Sequence, residues 1–133
     1  MSDKELIRTL AEKVMGWPVR VHGDMDQRGY AKPEPDGTLV LWDDLNEIHM
    51  CRHWQPLTSD SDAFMVVDAL VAKGYDVILG CMEHNSCVEI RRWRDRRAEG
   101  IPGDPFTGRS RETLICETAE TRRRAICQAA VRV

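Results

Sequence analysis

Apolar positions at Leu6, Ile7, Leu10, Ala11, Val14 and Met15 recur with helical spacing close to the N-terminus, which predicts an amphipathic first helix. Ser2 and Glu5 stand in capping-box spacing ahead of it. Gly16 occupies the left-handed C-cap position, and Pro18 forbids continuation. Residues 18–37 are rich in Gly, Pro and Asp and read as an irregular, turn-filled connection. After the Asp36-Gly37 turn signal, Thr38–Trp42 has the pattern of a short strand. A second helix follows in "SDAFMVVDALVAK", apolar over most of its circumference and so expected to pack on more than one side. Ser59 or Asp60 caps it and Asp62 adds negative charge to the first turn. Gly74 ends it, with Tyr75 placed for the accompanying hydrophobic contact.

The period then changes from helical to alternating. "YDVILGCM" puts Tyr75, Val77, Leu79 and Cys81 on one face, "EHNS" turns the chain, and "CVEIRRW" returns with Val88 and Ile90 inward, an antiparallel hairpin. Residues 94–110 hold Gly100, Pro102, Gly103, Pro105 and Gly108 and read as a long loop. "RETLICET" is a third strand, with Leu114 and Cys116 sharing a face. A last helix is expected from about Ala119 to Val131, capped by Thr118, with Ala125, Ile126, Ala129 and Ala130 as its buried stripe. The pattern describes an α+β domain over residues 1–133. Its small antiparallel sheet has three strands, with Thr38–Trp42 as a candidate fourth, layered with three helices as an α-β-α sandwich.

A chain of 133 residues fits one domain able to bury roughly two-thirds of its unfolded surface. No apolar run approaches the roughly 20 residues that cross a bilayer, and the charged start "MSDKELIRTLAEK" is not a secretory signal. Five cysteines without an export signal point to reduced thiols in a cytosol, most simply as small buried hydrophobes. Charge adds an asymmetry. Residues 1–85 carry 8 Lys+Arg and 15 Asp+Glu, while residues 86–133 carry 11 Arg and 7 Asp+Glu, so −7 and +4 give the net −3. Such a split means either an anionic partner for the basic half or, as the favoured reading, two halves that attract each other within one fold.

Three candidate chemistries arise. In an extended segment His49, Cys51 and His53 would share a face, and Cys81, His84 and Cys87 surround the hairpin turn; four of these six could hold zinc tetrahedrally. Neither spacing matches a paired structural-zinc pattern, so the bland reading of packed thiols and scaffold histidines is preferred, with no metal or other cofactor expected. A resemblance of "DMDQRG" to a calcium loop fails at Arg28 and Pro35. Arg91, Arg92 and Arg94 interleave with Trp93, and Arg122, Arg123 and Arg124 open the last helix, a set suited to phosphates and a stacked base. Against that stands a solvated face held by salt bridges, with Glu120 relieving Arg123 and Arg124 at helical spacing. No phosphate loop, nucleophile motif or reaction-defining carboxylate pair is present, which argues against an enzyme.

Three stretches together are similar to a known family. "LAEKVMGW" (10–17), "WQPLTSDSDAFMVVDAL" (54–70) and "AETRRRAICQAAVRV" (119–133) resemble, in order, the opening, the Trp-x-Pro segment with its capped helix, and the C-terminal helix of the phage α-β-α sandwich domain family. The departures are the 94–110 loop and the arginine triplet. The resemblance implies a phage or prophage origin, a bacterial host cytoplasm and a small accessory protein with no established activity or catalytic set. Gly16, Trp17, Trp54, Pro56, Gly74, Ile126 and Cys127 would be its structural framework. Within it His49, Cys51 and His53 are local decoration, and the reading is a non-enzymatic protein that binds another macromolecule, most simply a protein or a second copy of itself. Nucleic-acid binding and a zinc module are the alternatives.

Overall fold

The computed structural model describes residues 1–19, 30–33, 37–43, 50–81, 83–95 and 109–133. Helix α1 spans Asp3–Thr9 and begins with both arms of the capping box: the Ser2 N–H donates to Glu5 Oε2 at 2.8 Å and the Glu5 N–H to Ser2 Oγ at 3.2 Å. The chain continues as a π-helical stretch, Leu10–Val14, in which the Met15 N–H reaches back to the Leu10 carbonyl. Such widened turns insert a residue and shift the helix face. Here the widening and Gly16, at φ 72°, re-aim the chain so that Trp17 meets Trp54 edge to face at 5.1 Å. Leu6, Ile7, Leu10, Ala11 and Val14 are buried, as the spacing predicted.

Two antiparallel sheets form, each with three strands. The first runs β1 (Tyr30–Pro33), β2 (Leu39–Asp43) and β3 (Met50–Trp54); the second runs β4 (Asp76–Cys81), β5 (Ser86–Asp95) and β6 (Arg109–Ala119). Strand β2 falls where Thr38–Trp42 was expected, whereas β1 and β3 add two strands that a Gly/Pro-rich stretch and a His/Cys-bearing stretch concealed. Between β3 and the next helix, the Gln55 N–H donates to the Asp62 carboxylate at 2.9 Å and Pro56 is fully buried. Helix α2, Asp60–Ala72, is capped by Ser59, whose Oγ accepts from the Asp62 N–H. It ends at Gly74, φ 93°, with the Tyr75 N–H returning to the Leu70 carbonyl. This is the left-handed stop that the sequence called for.

Two boundaries differ from expectation. Strands β5 and β6 extend into the stretch read as the 94–110 loop, and β6 continues through Ala119, pairing Cys87 with Thr118 and Ser86 with Ala119. Thr118 is thereby committed to the ladder. The last helix, α3, begins at Arg122 and is capped by Thr121, which accepts from the Arg124 N–H at 3.2 Å. The register of β5 on β6 also slips between Ile90 and Arg91, leaving Leu114 as an extra residue on β6, a bulge of the kind that bends and twists an edge.

The helices gather on one face of the second sheet. Val88 and Ile90 on β5 are buried against Ala125, Ile126, Cys127, Ala129 and Ala130 of α3, with Val77 and Leu79 of β4 packed at the side. Leu39 and Trp54 of the first sheet reach the same core. Trp54 is wholly buried. The opposite face of the second sheet carries Gly80, Cys87, Glu89, Arg91, Cys116 and Thr118, and its exposed members leave it open to solvent.

Candidate functional site

Strand alternation decides what the chemistry-bearing side chains face. Because Val88 and Ile90 point into the core, Cys87, Glu89 and Arg91 point out of it. On that outer face Glu89 is the hub: its carboxylate accepts from the Arg91 guanidinium at 2.7 Å and from Thr113 Oγ1 at 2.8 Å. These two bonds hold the Glu89 carboxyl below the usual carboxylate range, the Arg91 contribution being the larger. Glu89 lies opposite Cys116 in the register, and the Cys116 sulfur is 3.7 Å from Cys87 Sγ. Contact with Cys116, and burial after it, raises the Cys87 thiol above its ordinary value. Cys127 behaves differently: buried in α3, it is pushed up to about 12 by desolvation, which makes it an inert thiol.

Among the described residues the candidate metal ligands are not brought together. Cys51 and His53 fall on β3 of the first sheet, where His53 is exposed, while Cys81, His84 and Cys87 belong to the hairpin of the second. Cys81 pairs with Ser86, and Cys87 with Gly80, so the two cysteines project from opposite faces. Among the described residues no group of three or more His, Cys, Asp or Glu is placed to hold a metal ion. His49 lies outside those residues.

The arginines divide into two kinds. Arg123 donates to Asp60 Oδ1 at 3.0 Å and to the Leu57 carbonyl at 3.1 Å, tying α3 to the start of α2. Arg124 makes a two-pronged pair with Asp3 at 3.0 Å on each arm, tying α3 to α1. Glu120 precedes the helix and hydrogen-bonds neither arginine, yet its charge still favours the protonated Arg124, behind the larger contribution of Asp3. These two ion pairs join the basic second half to the acidic first half. Arg92 pairs with Glu112 on the neighbouring strand at 3.4 Å. Arg94 lies in β5. Arg122 instead sits over the Phe64 ring, 5.7 Å from its centroid.

Among the described residues, three large apolar side chains within secondary structure are exposed: Phe64 at 37% and Val71 at 54% on α2, and Trp93 at 48% on β5. Phe64 and Val71 are two turns apart and therefore share a helix face, with half-buried Val67 between them. The sequence pattern predicts only that α2 packs on more than one side and does not single out this ridge. Cys116 was likewise passed over as a packed thiol, since the register joining it to Cys87 crosses residues 96–108 and a bulge.

Comparison with protein families, with curated proteins and with solved structures finds no match to this chain, and so no enzyme family or homologue. Among the described residues no helix is long and apolar enough to cross a membrane.

Proposed function

We propose that the protein is a small phage or prophage accessory protein that acts in the host cytoplasm, without catalysis, by binding another protein through the outward side of α2. The observation that carries this reading is the Phe64–Val71 ridge, two exposed apolar side chains on one helix face flanked by Asp68 and by Arg122 stacked on Phe64. An apolar centre with a charged rim is the anatomy of a protein interface. The three family-like stretches support the phage assignment. They carry no catalytic set with them. The test is sedimentation, together with cross-linking in a bacterial extract, of the wild type beside a folded F64D/V71D variant. The reading expects a partner, or a second copy, cross-linked to α2 in the wild type and lost in the variant. A wild type that stays monomeric and uncrosslinked refutes it, as does a variant that keeps every contact.

A second reading, nucleic-acid binding, is favoured by one observation: Trp93 is half-exposed on β5 between Arg92 and Arg94. It weighs less because Arg123 and Arg124 are engaged inside the fold. Binding that weakens linearly in log–log with salt would support it. Absence of a gel shift at low salt removes it.

A further inference from the structure

On the solvent-facing side of the second sheet, Cys87 and Cys116 meet across β5 and β6 in a way that packing does not require. Cys116 is exposed and Cys87 half-exposed, and both lie on the face turned away from the core. They are not direct partners in the ladder, since Cys87 faces Thr118 and Glu89 faces Cys116. The twist of an antiparallel pair shortens one diagonal and lengthens the other. The sulfur contact at 3.7 Å places these cysteines on the short one. Opposite Cys87 on β4 stands Gly80, which presents no side chain of its own to the thiol.

We propose that Cys87 and Cys116 are a reversible dithiol–disulfide pair that exchanges with low-molecular-weight disulfides of the glutathione class. The sulfurs need only approach from 3.7 Å to about 2.0 Å, a movement that rotation of two surface side chains supplies without disturbing Val88 or Ile90 beneath. Cys116 is the more accessible sulfur and attacks first. Its thiolate forms a bond to one sulfur of the small disulfide, whose S–S bond breaks, and the released thiolate takes up a proton from water. Cys87 then loses its proton to solvent and its sulfur attacks that of Cys116, expelling the second small thiol. Two protein thiols are oxidised, one small disulfide is reduced to two thiols, and the protons balance. The raised proton affinity of Cys87, caused first by its contact with Cys116, fits this order, with Cys87 as the resolving thiol. The product would fasten β5 to the end of β6 that leads into α3.

The experiment equilibrates the native protein with reduced and oxidised glutathione at a series of ratios, traps it in acid, and maps the peptides by mass. The expected result is a peptide linked through Cys87 and Cys116, lost reversibly as the reduced form is raised. C87S should lose the link and instead retain glutathione on Cys116, while C116S should lose it with Cys87 left as the thiol. Circular dichroism confirms that the protein stays folded throughout. Separate glutathione adducts without a linked peptide overturn the proposal. So does a link from either sulfur to Cys81, or a Cys87–Cys116 link that forms only in denaturant.

Discussion

Trp54 offers the sharpest test of how the two sheets share a core. Its indole is wholly buried and meets Trp17 edge to face at 5.1 Å, yet Nε1 finds no hydrogen-bond partner among the described residues. Truncation to alanine removes roughly 200 Å² of buried aromatic surface, worth about 5 kcal/mol at about 25 cal/mol per Å². The pair with Trp17 adds about 0.5–1.5 kcal/mol. Relief of the unpaired N–H returns about 1–3 kcal/mol. The net expected for Trp54→Ala is therefore about 2.5–5.5 kcal/mol, which brackets the range found for deleting large buried aromatics. Trp54→Phe sets two effects against each other. The smaller ring forfeits part of the packing, about 1–2 kcal/mol on the same area scale, but it carries no N–H to strand. The expected change lies between a loss of about 1 kcal/mol and a gain of about 2 kcal/mol. The assay is urea unfolding followed by far-ultraviolet circular dichroism, because loss of the indole would confound fluorescence; unchanged m-values would license the comparison. If Trp54→Phe costs as much as Trp54→Ala, the indole N–H is bonded in the folded protein and the reasoning fails.

Two further outcomes follow from the ion pairs and the buried thiol. Asp3 and Glu5 both hold protons less tightly in the folded state, Asp3 first through its hydrogen bond to Arg124 and Glu5 first through the Ser2 backbone. Their contribution is therefore complete above the unfolded values of 3.8 and 4.5 and is lost as pH falls through the lower folded values. Asp3→Asn should remove the Arg124 part of that acid sensitivity at a cost of no more than about 1 kcal/mol near neutral pH, since the pair is largely exposed; chemical denaturation at pH 7 and in the acid range checks both. For Cys127, held protonated to about 12, a thiol reagent at pH 8 should leave it unmodified in the native protein and label it once urea unfolds the chain, whereas Cys81 and Cys116 label in both. Labelling of native Cys127 at the rate of Cys116 would show that α3 opens.

How the local elements form was legible in the sequence wherever one segment supplied all the information. The Ser2–Glu5 capping box, the Ser59 cap, the left-handed glycines 16 and 74 and the β4–β5 hairpin each depend on residues a few positions apart. The candidate site was less legible. Arg122, Arg123 and Arg124 look alike in sequence, but α2 and α1 bring Asp60 and Asp3 to the second and third and Phe64 to the first. Only one of the three is left for anything outside the fold.

What the sequence determined by itself was the alternation of apolar and polar positions, hence the three helices and strands β2, β4, β5 and β6, that β5 buries Val88 and Ile90, and that the two halves carry opposite charge. The tertiary structure decided everything that joins distant segments. Two strands of the first sheet exist because β2 offers its edges to Tyr30–Pro33 and Met50–Trp54, neither of which announces a strand alone. Ladder pairing with Ser86 and Cys87 carried β6 past Thr118 and moved the helix cap to Thr121, since either threonine can cap but only one lies beyond the ladder. The Cys87–Cys116 contact depends on register, and register depends on a bulge at Leu114 and on a connection whose length no local pattern constrains. Short-range spacing fixes which face a side chain occupies. Only long-range pairing fixes what it faces.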